Sequence, residues 1–194
     1  MALPKFITPE EYLRMERASP EKHEYYNGEI FAMNVASENH NIVVGSTFAS
    51  LYAQLRKKPC QIYPSDLRVR IPATGLYTYP DISIVCGTPE FEDDGLDTLL
   101  NPTIIIEVLS ASAEQYDRGK KFQHYRTIAS LQEYILIAQD NIRIEHFARQ
   151  GEQWVLTGAK AIYSVLNLPS INCNLALSEV YEKVNFGGTE GTNP

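Results

Sequence analysis

Residues 103–109 read Thr-Ile-Ile-Ile-Glu-Val-Leu, and residues 79–85 read Tyr-Pro-Asp-Ile-Ser-Ile-Val. The first is a continuous apolar run of strand length with one carboxylate inside it, the pattern of a central strand covered on both faces. An unpartnered carboxylate in such a place is costly or stays protonated. Glu107 therefore requires compensation: a cation bound against it, an arginine partner, or water at a sheet edge. In the second segment Pro80 is tolerated at a strand start, and alternation puts Ile82 and Ile84 on one face and Asp81 and Ser83 on the other. Taken alone, Asp81 reads as a turn or strand-end residue. Successive strands commonly pair or neighbour, however, and two carboxylates aimed from neighbouring strands at one point form a hard oxygen site suited to Mg²⁺ or Mn²⁺.

The segment after Glu107 supplies a cation. Residues 114–126 read Glu-Gln-Tyr-Asp-Arg-Gly-Lys-Lys-Phe-Gln-His-Tyr-Arg within a helix expected over 113–129. At about 100° per residue, Arg118, Phe122, Tyr125 and Ala129 share the face that packs on the sheet. Lys121 lies about 40° outside that face and Lys120 nearly opposite, so Lys121 is the lysine that can reach back to the carboxylates. The alternative is that both lysines belong to a solvated face. Gly119 lowers the intrinsic stability of the helix by about 1 kcal/mol.

Upstream, Thr8-Pro9-Glu10-Glu11 opens a helix with a capping box and Pro at its first position, ending near Ser19-Pro20. Asn27-Gly28 between apolar-rich flanks predicts a hairpin. Residues 37–57 form a long helix with Val44, Phe48, Leu51 and Leu55 as its buried stripe, ended by Pro59. Strands are expected over 60–71, 79–85 and 103–109, with an acidic, Gly-containing loop at 87–101, and again over 133–138, 142–148 and 153–158. This order predicts an α/β (α+β) chain, a mixed central sheet flanked by helices. Residues 1–184 are expected to form one domain, and 185–194, rich in Gly, Thr and Asn, a loose tail.

Composition narrows the classes. The 194 residues are 44% hydrophobic and 21% charged, which is globular and not disordered. No apolar run approaches the roughly 20 residues of a membrane span, and the N-terminus lacks a signal-peptide core. Cys60, Cys86 and Cys173 are odd in number and far apart, so neither a disulfide framework nor a thiolate zinc site is expected, and a reduced, cytoplasmic protein follows. The net charge of −7, from 17 Lys+Arg against 24 Asp+Glu, weighs against tight non-specific DNA binding. A local basic groove or a carboxylate metal site remains compatible with it.

Other candidates have ordinary readings beside functional ones. Glu24 and Glu29 flank the hairpin turn as exposed carboxylates or as extra acids at a metal. His40, one turn before Val44, is a core or capping histidine or a phosphate contact. His23, His124 and His146 have no metal-ligand spacing. Arg68 and Arg70 read as a solvated strand face, with phosphate contact as the alternative, and Arg56, Lys57 and Lys58 favour the dipole of the preceding helix.

An Asp at the start of one strand, a Glu inside the next and a nearby Lys resemble the PD-(D/E)XK nuclease superfamily. Its usual lysine follows the acid by two residues, where this chain has Leu109; Lys121 is the nearest replacement. A closer resemblance runs over roughly residues 8–180, carried by YNGEIFAM, ENHN, YPDISIV, IIEVLSASAEQYDRGKKFQHYR and SLQEYILI. Together these are similar to the Uma-type family of restriction-endonuclease-like proteins. The resemblance implies a restriction-endonuclease-like core in which Asp81 and Glu107 hold a divalent metal (Mg²⁺ or Mn²⁺), the Val108 carbonyl is a further ligand, and Lys121 completes the site. It also implies hydrolysis of DNA phosphodiester bonds, and a homodimer because duplex cutting needs two sites. The rival reading is a catalytically inactive nuclease-fold module that binds nucleic acid or a protein partner. A glycoside hydrolase would use the paired acids but leaves Lys121 and the strand order unexplained.

Overall fold

The computed structural model describes residues 6–33, 35–110 and 114–187. Helix α1 (Pro9–Glu16) begins with the expected capping box, Thr8 and Glu11 exchanging side-chain and backbone hydrogen bonds at 3.1 and 3.2 Å. β1 (His23–Tyr26) and β2 (Glu29–Ala32) form the hairpin, and Asn27 and Gly28 both take positive φ, as its tight turn requires. α2 (Glu38–Leu55) is capped by Ser37, which accepts from the His40 N–H. There follow β3 (Cys60–Pro64), β4 (Arg68–Ile71), β5 (Leu76–Thr78), β6 (Ile82–Cys86), β7 (Thr98–Leu99) and β8 (Ile104–Leu109). A helical segment comprises α3 (Glu114–Tyr116), a π-helical turn (Asp117–Lys121) and α4 (Phe122–Tyr125). The chain ends in β9 (Glu133–Ala138), β10 (Ile144–Gln150), β11 (Gln153–Ala159), β12 (Val165–Leu168), β13 (Cys173–Ala176) and α5 (Leu177–Val180).

The central sheet has the order β11-β10-β9-β8-β6-β3, antiparallel except for the parallel pair β8–β9. A smaller sheet, β2-β1-β5-β4-β7, lies beside it, and β12 pairs with β13. Every residue of β8 is buried. Ile104, Ile106 and Val108 face a core shared with α2, β12, β13 and α5. Ile105 and Leu109 face a second core with Tyr125, Tyr134 and the apolar residues of β4 and β5. Burial on both faces is why this strand carries almost no polar side chain, and why the one it carries is informative.

Several sequence expectations are corrected. Residues 60–71 are two strands in different sheets, broken at Ser65-Asp66, because the chain leaves the edge of the large sheet to enter the small one. The buried stripe of α2 is Val43, Thr47, Leu51 and Leu55, with Val44 and Phe48 only partly covered. The helix after β8 ends at Tyr125, four residues earlier than expected. Strands β5, β7, β12 and β13 and helix α5 had not been anticipated. Arg68 is not on a solvated face: it is 2% exposed and donates to Tyr79, Thr98 and Asp97. Arg70 pairs with Glu92. The cysteine reading is also overturned: Cys60 and Cys86, 26 residues apart, sit opposite one another on β3 and β6 and are disulfide-bonded, leaving Cys173 free and buried. The spacing that made them look unrelated is closed by an antiparallel pairing. Of the expected tail, residues 188–194 lie outside the described residues, while Asn185 accepts a hydrogen bond from Asn39. No helix among the described residues is long and apolar enough to cross a membrane.

Candidate active site

Strand register builds the site. Ile82 pairs with Ile106 in the antiparallel β6–β8 ladder. One step before Ile82 and one step after Ile106, Asp81 and Glu107 therefore stand opposite each other, on the same face. There the ladder changes from backbone to side-chain bonding. The Val108 N–H donates to Asp81 Oδ2 at 2.7 Å, and the Asp81 N–H lies 3.4 Å from Glu107 Oε2. These contacts hold the two carboxylates side by side at the end of β6.

Glu107 Oε1 is the partnered oxygen. It accepts from Lys121 Nζ at 3.0 Å and from the Tyr125 hydroxyl at 2.8 Å. Lys121 also approaches Glu24 at 3.2 Å and Asp117 at 3.5 Å, so one ammonium serves three carboxylates. Asp117, Lys121 and Tyr125 follow one another at intervals of four, which brings them to one side of the helical segment. The π-helical turn lies between Asp117 and Lys121, and such turns recur at functional sites. Thr78 donates to Glu24, fixing that carboxylate from β5. Lys120 is exposed, as its position on the helix predicts.

Electrostatics follow from depth. Glu107 and Lys121 side chains are only 6% and 9% exposed. Burial pushes the Glu107 carboxyl above the ordinary carboxylate range, with Lys121 opposing and Asp117 and Asp81 adding to the rise. Burial likewise raises Asp117. For Lys121, burial disfavours the charged form, but Glu107, Glu24 and Asp117 outweigh it and hold the ammonium charged well above the usual lysine value.

His40 enters from the first turn of α2. Its Nε2 lies 3.2 Å from Asp81 Oδ2, and the ring also interacts with the Val108 backbone. Burial lowers its tendency to charge, but Asp81 outweighs this, and the net shift is upward. His40 thus stands against both Asp81 and Val108. Glu29 is exposed on β2 and does not line the site, whereas Glu24 does. The structure brings together Asp81, Glu107, Val108 and Lys121, and adds Glu24, His40, Asp117 and Tyr125. Asp117 and Tyr125 were missed as site residues, although their four-residue spacing from Lys121 was a usable signal.

All of these except Tyr125 line a cavity of about 790 Å³. Its donor set is hard oxygen, the chemistry that suits Mg²⁺ or Mn²⁺. Among the described residues no group of three or more His, Cys, Asp and Glu side chains is arranged to hold a metal ion.

Asp81 and Glu107 thus face each other across adjacent strands of a mixed sheet, with Lys121 bonded to Glu107. Residues 9–178 match the family described as "Putative restriction endonuclease" (Uma2), and the chain belongs to that family. A protein of Synechocystis sp. strain PCC 6803 is 39% identical over 158 residues, covering 81% of this chain and 89% of the relative. A second from the same organism is 34% identical over 181 residues, covering 93% and 94%. Both are described only as uncharacterized. A crystal structure from Anabaena variabilis, titled a "putative nuclease belonging to DUF820", superposes with a TM-score of 0.75 at 18% identity, covering 92% of this chain and 99% of that one. At that identity the likeness establishes the fold.

Proposed function

We propose that this protein is a divalent-metal-dependent nuclease that hydrolyses DNA phosphodiester bonds. The observation that carries the reading is the juxtaposition of Asp81 and Glu107 by strand register, with Lys121 bonded to Glu107. Asp81, Glu107 Oε2 and the Val108 carbonyl would hold Mg²⁺ or Mn²⁺. The chemistry such an ion supplies is polarisation of a phosphoryl oxygen and a lowered pKa for water.

The protein's own groups divide the remaining work. Water oxygen attacks phosphorus and gives up a proton to solvent, the ester P–O bond breaks, and the leaving oxygen takes a proton from solvent. Lys121 is held charged by its three carboxylates, so it acts as a donor: it orients the attacking water or stabilises charge building on the phosphoryl oxygens. Tyr125 fixes Glu107 Oε1 and leaves the other oxygen turned toward Asp81. The described residues hold one such site, so cutting both strands of a duplex would take two copies, and a homodimer is the assembly expected for that substrate.

Cleavage of labelled DNA in Mg²⁺ or Mn²⁺ tests the reading. Wild type is expected to cut, and Asp81→Asn and Glu107→Gln to lose cutting while staying folded by circular dichroism. Absence of cleavage with either ion, together with no calorimetric metal binding, would overturn it in favour of an inactive binding module.

A further inference from the structure

The cavity around the acids has three properties that bear on which form of DNA enters it. The first is depth. The Asp81 side chain is 16% exposed and Glu107 less, so a scissile phosphate must descend to the floor of a pocket. At about 790 Å³ the pocket has the capacity of a small-molecule site, which an unpaired nucleotide can enter whole.

The second is charge. A protein that tracks duplex DNA neutralises many phosphates with Lys and Arg. Among the described residues, Lys22 and Lys121 are the lysines and arginines that line this cavity. Lys22 is engaged by Asp66 at 2.5 Å and the Ser65 carbonyl at 3.1 Å, and Lys121 by its three carboxylates.

The third is the apolar part of the wall. Met33, after β2, and Tyr116, at the end of α3, line the cavity while 38% and 37% exposed. An aromatic or thioether surface is suited to the face of a base, and only an unstacked base offers its face. A base within a duplex offers edges and phosphates.

Building on the nuclease reading above, we propose that the site selects an unpaired DNA strand or strand end, with a base laid against the Tyr116 and Met33 wall, over continuous duplex. One cut then completes the reaction, and one copy of the site suffices.

The test compares a fluorescein-labelled single strand, its blunt duplex, and the same duplex with an unpaired end. Binding is read by anisotropy in Ca²⁺ and cutting in Mn²⁺. The strand and the frayed duplex are expected to bind at least about tenfold more tightly than the blunt duplex, a difference of about 1.4 kcal/mol. With few phosphate contacts, log K should fall with log salt with a slope no steeper than about −2, at roughly 0.7 per contact. Tyr116→Ala should weaken strand binding about five- to hundredfold, the range for loss of one stacked base. Tyr116→Phe should bind as wild type does, which a hydrogen-bonding role of the hydroxyl would not produce, and circular dichroism of Tyr116→Ala should match wild type, which a purely structural role would not produce. Equal or tighter binding of the blunt duplex, or unchanged binding by Tyr116→Ala, overturns the inference. Preferential cutting of duplex sinks it alone and leaves the nuclease reading standing; neither binding nor cutting of any form sinks both.

Discussion

Replacing Lys121 with Met removes the ammonium shared by Glu24, Glu107 and Asp117 and keeps an apolar side chain of similar length. Removing one partner of a buried ion pair strands the other charge, and such losses run about 3–5 kcal/mol. The cost should depend on pH in a definite direction. Glu107 is already raised by burial with Lys121 present, and without the lysine it rises further. A carboxyl with a raised folded-state pKa keeps its proton in the native protein when the unfolded chain has released it. Stability therefore falls as pH climbs from the unfolded value, 4.5, through the folded one. Urea unfolding of Lys121→Met and wild type is expected to show the smaller deficit up to neutrality, where Glu107 keeps its proton in both proteins, and a deficit that grows to about 3 kcal/mol or more as pH climbs through the wild-type Glu107 value of about 8. Adding Glu107→Gln to Lys121→Met should recover part of the loss, since the stranded charge is gone. A deficit below about 1 kcal/mol, or one that does not change with pH, would refute the claim that Lys121 compensates buried carboxylates.

Other outcomes follow from the same geometry. Tyr125→Phe deletes the hydroxyl donated to Glu107 and should cost about 1.5–3 kcal/mol, the range for a bond to a charged group, read by denaturant midpoint. Mn²⁺ binding should tighten with rising pH, by up to about tenfold per unit below the raised Glu107 pKa, because the ion competes with a proton; a pH-independent calorimetric affinity would contradict this. Thiol titration of unfolded protein should count one reactive cysteine before reduction and three after, and reduction should lower stability by up to about 3.5 kcal/mol, the loop-closure value for the enclosed segment.

Local chemistry is what the sequence by itself determined. The Thr8–Glu11 capping box, the Asn27-Gly28 hairpin, the long helix through Leu55 and the buried strand around Glu107 depend on neighbours within a few residues, so their patterns survive in one dimension. The same is true of the choice of Lys121 over Lys120, which follows from helical angle. The motifs carried family and fold as well, because they lie on those local elements. Only the tertiary structure decided which distant groups meet. The β6–β8 register puts Asp81 across from Glu107, and a slip of one residue would have turned the acids to opposite faces. Glu24 from the hairpin and His40 from α2 arrive at the site because two separate packing interfaces aim them there, and no spacing along the chain encodes that. Cys60 and Cys86 pair, and Arg68 is buried, for the same reason: segments 60–64 and 68–71 part into different sheets, a choice made by what each can bury and not by its own residues.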